Sequence, residues 1–193
     1  MGDSLTPEVV GPLLRGRFGR DYRYVERTAS TQKLLDDGVE GSVAVTEEQT
    51  EGRGRLGRTW EAQAGTSLLV SVLLEPTVPP ARLPELTLVA GDACVRAIAA
   101  TTGLEPTIKH PNDVLVDGRK VAGILAEARD GRVVLGIGVN VNMTAEQLPA
   151  ETATPAGSLW LAAGRELSRA ELLAELLLQL ELAYDAWAAA AAR

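Results

Sequence analysis

The sequence predicts an α+β fold, in which a mixed, largely antiparallel sheet is flanked by helices. Helical and strand-like segments alternate irregularly along the 193 residues, without the strict strand–helix repeat of a parallel sheet. Two Asp-Gly dipeptides separate consecutive β-rich runs in the second half of the chain, which is typical of hairpins. A leucine-rich segment of helical periodicity follows them.

The N-terminal elements are predicted from their start signals. A first helix begins at Thr6-Pro7-Glu8, with Thr6 as the cap, and ends near residue 16 or 19. Residues 22–27 form a strand, and a second helix runs from Ser30-Thr31 to Gly38.

The middle of the chain contains two apolar strands and a long helix. Residues 42–46 and 67–74 are the strands, the second apolar enough to be buried on both faces. A polar, glycine-rich loop from Gln49 to Gly65 joins them. The helix runs from about Leu83 to Thr102 and contains Cys94, which we expect to be a small buried apolar residue.

The C-terminal half predicts a three-stranded meander and a last helix. Residues 114–116, 119–128 and 133–141 are the strands. Ser168-x-x-Glu171 is a capping-box pattern that opens a helix over residues 168–193. We expect residues 1–193 to form a single domain.

Composition excludes several classes of function. The formal charge is 19 − 26 = −7 and only 4% of residues are aromatic, so a general nucleic-acid interface is disfavoured and no DNA partner is expected. One cysteine and one histidine disfavour a disulfide framework and a structural zinc site. Neither a signal peptide nor a long apolar run is present, so a cytoplasmic protein with no membrane partner is expected.

Residues 52–60, here called the arginine–glycine loop, read GRGRLGRTW. Glycines allow close backbone approach to a ligand, and arginines suit carboxylates and phosphates. The letters also fit G-x-G-x-x-G, but that dinucleotide motif should open a helix, and none is predicted here. A solvated surface loop is the alternative. Trp60, an aromatic platform for adenine at the end of the loop, favours a phosphate-bearing ligand.

A second polar cluster leads into the meander. It comprises Lys109-His110-Pro111-Asn112-Asp113, and the turn at Asp117-Gly118 should fold Lys120 back beside Asn112 and Asp113. The run Gly136-Ile137-Gly138-Val139-Asn140 places small residues in a strand, which often means that a ligand lies against the backbone. The alternative is that Lys120 is a solvated lysine of the hairpin and that Asn112 and Asp113 form an ordinary turn.

Together these residues resemble the catalytic domain of the biotin–protein ligases, over roughly Tyr24 to Asn142. The resemblance rests on Ser30-Thr31-Gln32, Gln49 with GRGRLGRTW, KHPNDV, KVAGIL and GIGVNVN. It implies a fold shared with class II aminoacyl-tRNA synthetases. It also implies that biotin and ATP form biotinyl-5′-AMP, which then biotinylates a lysine of a biotin carboxyl carrier protein.

The resemblance assigns roles to individual residues. Lys120, Arg55 and Asp113 are the candidate catalytic residues, and Asp113 is the candidate contact for Mg²⁺. The biotin site comprises Ser30, Thr31, Gln49, Gly52, Arg53, Lys120, Gly123 and Gly136. The ATP and adenylate site comprises Arg55, Arg58, Trp60, Lys109, Asn112, Asp113 and Asn140.

The chain departs from the family pattern in three places. His110 replaces the usual tryptophan; we expect it to be packed or hydrogen-bonded rather than a base, and expect His110→Trp to stabilise the protein or to tighten ATP binding. We see no N-terminal helix-turn-helix and therefore expect an enzyme rather than a repressor. We also see no strand pattern for a C-terminal SH3-like barrel. The C-terminal segment instead has an apolar stripe at helical spacing, formed by Leu172, Leu176, Leu180, Tyr184 and Trp187. Packing of this stripe on the sheet is preferred, and a homodimer contact is the alternative.

Two other functions stay open at this point. A biotin-binding module with little ligase activity is favoured by His110 and by the expected loss of the barrel, but does not need the arginine–glycine loop. A lipoate or octanoyl ligase is disfavoured by the same loop, which those relatives lack.

Overall fold

A computed structural model describes residues 3–150 and 152–191 of the chain. Its helices are α1 (Pro7–Val10), α2 (Leu86–Thr102), α3 (Leu159–Ala163) and α4 (Arg169–Ala191). Its strands are β1 (Tyr22–Thr28), β2 (Val43–Gln49), β3 (Ser67–Leu74), β4 (Thr107–Lys109), β5 (Asp113–Val116), β6 (Arg119–Arg129) and β7 (Arg132–Asn140). The α+β prediction is confirmed.

All seven strands form one sheet in the order β1-β2-β3-β7-β6-β5-β4. The β1–β2 pair is parallel and every other neighbouring pair is antiparallel, as the mixed, largely antiparallel prediction requires. The meander is confirmed as β5, β6 and β7. Strand β4, which is only three residues long, was not predicted and adds a further strand at the edge.

Alternation along the central strands separates the two faces of the sheet. In β7, Val133, Leu135, Ile137 and Val139 enter the main core with α2 and α4. The residues between them, including Gly136 and Gly138, face the other way. Because side chains of a strand alternate, one face is closed by helices and the other is free to build a cavity.

The strand β3 is the most deeply buried element. All eight of its residues are buried, and it pairs with β2 on one side and β7 on the other. This confirms the prediction from its continuous apolar run. Cys94 in α2 is also fully buried as expected, and burial raises the pKa of its thiol to about 12.

Several predicted boundaries are wrong. The second helix is a 3₁₀ turn, Thr31–Leu35, since tertiary contacts override a local helix signal of this length. The first helix ends with a 3₁₀ turn at Leu13, and the side chain of Thr6 makes no capping hydrogen bond. The helix predicted from Leu83 begins in α form at Leu86, because a 3₁₀ turn containing Pro84 precedes it. Helix α3 was not predicted.

Helix α4 starts as predicted, since Ser168 Oγ accepts a hydrogen bond from the Glu171 backbone N–H at 3.2 Å. Its apolar stripe packs mainly against α2 and only slightly against β3, so the expected sheet contact is largely a helix–helix contact. Tyr184 and Trp187 stack at the end of the stripe, with ring centroids 6.0 Å apart. The stripe is therefore used within the chain. Residues 192 and 193 of the predicted helix lie outside the described residues.

The helices in the described part of the chain are too short or too polar to span a lipid bilayer.

Candidate ligand-binding site

A cavity of about 740 Å³ opens on the face of the sheet opposite α2. Every residue that the sequence assigned to a site lines it except Gly52. These residues are Ser30, Thr31, Gln49, Arg53, Arg55, Arg58, Trp60, Lys109, Asn112, Asp113, Lys120, Gly123, Gly136 and Asn140. A volume of this size accommodates a small molecule and a nucleotide bound side by side.

One end of the cavity is formed by neutral hydrogen-bonding groups. The backbone N–H of Thr31 donates to Gln49 Oε1 at 2.8 Å, and Thr31 Oγ1 lies 3.1 Å from the same oxygen. Ser30 and Thr31 are nearly fully buried. The strand β2 positions Gln49 as its last residue, and the 3₁₀ turn positions Thr31 as its first.

The other end carries the charged groups of the second cluster. Lys120 Nζ lies 2.7 Å from Asp113 Oδ1, because the β5–β6 hairpin brings the two residues together as predicted. Asn112 donates from Nδ2 to the Ile124 carbonyl at 3.2 Å, and its Oδ1 accepts from Arg55 at 3.4 Å. The cavity therefore runs from a neutral end to a cationic end.

The arginine–glycine loop folds over the cavity as a short hairpin. Its ends pair as an antiparallel bridge between Arg53 and Thr59, and Gly54 N–H donates to the Arg58 carbonyl at 2.7 Å. The tip residue Leu56 is 84% exposed and has a left-handed backbone. Arg55 and Arg58 are both exposed on the loop, where their side chains can reach an anion.

Arg53 is anchored by the protein itself. One terminal nitrogen of its side chain donates to Gln32 Oε1 at 2.9 Å and to Glu127 Oε2 at 2.7 Å. These contacts tie the start of the loop to the 3₁₀ turn and to β6. Glu127 and this anchoring role were not foreseen, because nothing in the sequence connects residues so far apart.

Gly52 lies beneath the loop rather than in the cavity lining. Its carbonyl accepts a hydrogen bond from the Trp60 backbone N–H at 3.0 Å. A Cβ at this position would lie 2.3 Å from the Trp60 carbonyl oxygen, so only glycine fits.

The Trp60 side chain packs against the sheet. Cβ atoms built on Gly138 and Gly123 would lie 2.5 and 2.8 Å from its ring, and Lys120 Nζ lies 5.4 Å from the ring centroid. The glycines in β7 were expected to make room for a ligand. Both glycines line the cavity, and side chains of this chain lie close to them, Trp60 at Gly138 and Gln32 at Gly136.

The far wall of the cavity is a segment that the sequence did not flag. It contributes Pro149, Thr152, Ala153, Thr154 and Ala156. Lys109 Nζ donates to Thr154 Oγ1 at 2.6 Å, and Asn140 Nδ2 donates to the Gly157 carbonyl at 3.0 Å. An irregular run of Thr, Pro and Ala carries no periodic signal, so no sequence pattern could have placed it here.

His110 is exposed at the cavity rim, and its side chain makes no hydrogen bond to another described residue, so the expectation that it is packed or hydrogen-bonded is wrong.

The chain is similar to known proteins over most of its length. Residues 24–143 match the Biotin/lipoate A/B protein ligase family. The chain belongs to this family. The chain is 38% identical over 177 residues to the Bifunctional ligase/repressor BirA of Bacillus spizizenii, covering 86% of this chain and 54% of that protein. It is 38% identical over 194 residues to the Biotin--[acetyl-CoA-carboxylase] ligase of Mycobacterium tuberculosis, covering 95% and 70%.

Solved structures show the same fold. The biotin protein ligase of Aquifex aeolicus in complex with biotin and ATP superposes with a TM-score of 0.79 at 32% identity, over 87% of this chain and 72% of that one. The family and the fold expected from the motifs are thereby confirmed. The chain spans about half the length of the BirA proteins that it matches.

Proposed function

We propose that this protein is an ATP-dependent biotin–protein ligase. The observation that carries the proposal is the polarity of one cavity: Thr31 and Gln49 at its neutral end, and Lys120 and Arg55 at its cationic end. Biotin has a neutral ureido group at one end and a carboxylate at the other, which matches this polarity. The M. tuberculosis relative is named as a biotin ligase, and the A. aeolicus relative binds biotin and ATP.

The first reaction joins two anions. A biotin carboxylate oxygen attacks the α-phosphorus of ATP, the bond from that phosphorus to the bridging oxygen breaks, and pyrophosphate leaves. Neither step requires a nucleophile from the protein, so catalysis consists of positioning and neutralising charge. Lys120 and Arg55 are the residues that would neutralise the carboxylate and the α-phosphate, with Arg58 and Lys109 nearby.

The second reaction releases AMP. The amine of an acceptor lysine attacks the acyl carbon of the mixed anhydride, AMP leaves, and a proton is lost as the amide forms. We infer that the acceptor is a biotin carboxyl carrier domain. Closing the arginine–glycine loop over the adenylate would limit its hydrolysis by water.

The donor set in the cavity fits a nucleotide-bound Mg²⁺. The described residues contain no group of three acidic, histidine or cysteine side chains that could hold a metal by themselves. Mg²⁺ usually takes only one or two carboxylates and completes its shell with phosphates and water. Asp113 is the residue that would hold it, and the ion would neutralise charge on the transferring phosphate.

The test is biotin-dependent exchange of pyrophosphate into ATP by the purified chain. Exchange that requires biotin supports adenylation, and subsequent transfer of biotin to a purified carrier domain supports the complete reaction. Adenylation of lipoate in place of biotin would instead assign the lipoate branch of the family. Binding of biotin without exchange would assign a binding module.

A further inference from the structure

The serine at the centre of β3 contacts the neutral end of the cavity. Ser71 is completely buried, and its Oγ lies 2.7 Å from Thr31 Oγ1. It lines the cavity beside Gly136 of β7, with which it is paired in the sheet. None of the motifs that identify the family includes Ser71.

The hydrogen bonds around Thr31 determine which group donates to which. The backbone N–H of Thr31 can only donate, so the atom of Gln49 that it meets at 2.8 Å must be the oxygen Oε1. That oxygen can only accept, so the Thr31 hydroxyl, 3.1 Å away, donates to it. A hydroxyl has one proton. Ser71 must therefore donate to Thr31 Oγ1.

This series of hydrogen bonds determines which donor and acceptor groups face the cavity. Because Oε1 accepts from Thr31, Gln49 presents its amide nitrogen Nε2 to the cavity, and no described residue accepts a hydrogen bond from that nitrogen. Thr31 Oγ1 keeps one lone pair, because Ser71 occupies the other. The cavity end thus offers a donor at Gln49 and an acceptor at Thr31. A cyclic urea presents the complementary carbonyl oxygen and N–H groups.

We propose that Ser71 is a positioning residue that orients the Thr31 hydroxyl, beside the Gln49 amide, for recognition of the ureido group. The proposal rests on the function proposed above, since it assumes that biotin is the ligand. Without the Ser71 donor, the Thr31 hydroxyl is free to turn away from Gln49, and ligand binding must then order that hydroxyl.

Two substitutions at Ser71 and one control separate this role from simple packing. Ser71→Ala removes the hydroxyl. Ser71→Cys keeps a side chain of similar shape but replaces the hydroxyl with a weak donor. Ser67→Ala is the matched control: Ser67 lies on the same strand and is equally buried, but its Oγ has no hydrogen-bond partner among the described residues.

The measurement is calorimetric binding of biotin and, separately, of ATP to each purified full chain, together with its melting temperature. We expect Ser71→Ala and Ser71→Cys to weaken biotin binding by about 3- to 10-fold, the worth of one hydrogen bond, while ATP affinity stays within about twofold. Ser67→Ala should bind both ligands like the wild type. Should Ser71→Ala fold poorly, the Cys variant carries the same comparison.

Three results overturn the proposal. Ser71→Cys with wild-type biotin affinity would show that only volume matters, and Ser71→Ala behaving like Ser67→Ala would show that the hydroxyl is inert. Equal loss of biotin and ATP binding would indicate general damage to the site. A wild-type chain that binds no biotin is a different failure, because it contradicts the proposed function itself.

Discussion

Lys120 Nζ lies 2.7 Å from Asp113 Oδ1 across the hairpin that joins β5 and β6, and both side chains are largely buried beside the cavity. The pair holds the ammonium group where an anionic ligand would meet it. The register of the hairpin places β5 beside β6. The Asp113 carboxylate then holds the flexible Lys120 side chain in one orientation.

Replacing Lys120 removes the best-positioned cation of the cavity. We expect Lys120→Gln to lower the rate of biotin-dependent pyrophosphate exchange by about 10²- to 10³-fold, the usual cost of losing one preorganised group that stabilises developing charge. Lys33→Gln serves as the control, since Lys33 is exposed and pairs with Glu51. Exchange by Lys120→Gln within threefold of the control would exclude Lys120 from the reaction.

Gly138 is expected to tolerate no side chain while Trp60 is present. A Cβ there would lie 2.5 Å from the indole, so Gly138→Ala should displace Trp60 and, with it, the end of the arginine–glycine loop. We predict at least a tenfold rise in the KM for biotin. In a Trp60→Ala background, Gly138→Ala should raise the KM for biotin much less, because the indole with which the new Cβ would clash is absent. Additive effects in this double-mutant cycle would show that the two residues act independently.

Glu127 is predicted to hold the arginine–glycine loop closed through Arg53. The pair is half exposed, and exposed ion pairs contribute about 0–1 kcal/mol, so Glu127→Gln should speed tryptic cleavage within the loop by up to about fivefold. Glu51→Gln removes a carboxylate of equal charge beside the loop and is the control. Equal cleavage rates of the two variants would mean that Glu127 does not restrain the loop.

The sequence predicted the sheet and the cluster of site residues but not the walls of the cavity. The buried strand β3 follows from an unbroken apolar run, and the Lys120–Asp113 contact follows from an Asp-Gly hairpin, whose register is local. Both depend on residues that are close in the chain. The motifs identified the family, and the family implied which loops converge.

Long-range partners could not be predicted in this way. The contact of Glu127 with Arg53 joins residues 74 apart, and the Thr154 segment is placed by hydrogen bonds to Lys109 and Lys120 rather than by any pattern of its own. The 3₁₀ turn at Thr31 is a further case. The sequence at Ser30-Thr31 favours the start of a helix, and a helical turn does form there. Contacts of this segment with β2 and β3 limit that turn to Thr31–Leu35.

Arg169 is predicted to be the most important ion-pairing residue for stability. It is 3% exposed, its Nε lies 2.7 Å from Asp3 Oδ2, and its side chain also reaches Glu47 and the Ser67 carbonyl. Because removing one partner of a buried ion pair leaves uncompensated charge, Arg169→Met should destabilise the protein by about 3–5 kcal/mol. Thermal or urea unfolding measures this. Arg165→Met, at an exposed site four residues earlier, should change stability little; equal stability of both variants would contradict the assignment.

We infer that one cavity binds biotin and ATP together and joins them. The most direct measurement is pyrophosphate exchange into ATP by the purified chain with Mg²⁺, in the presence and absence of biotin. We expect exchange that depends on biotin and that is lost in Lys120→Gln but retained in Lys33→Gln. Biotin binding without exchange, or exchange that does not require biotin, would contradict it.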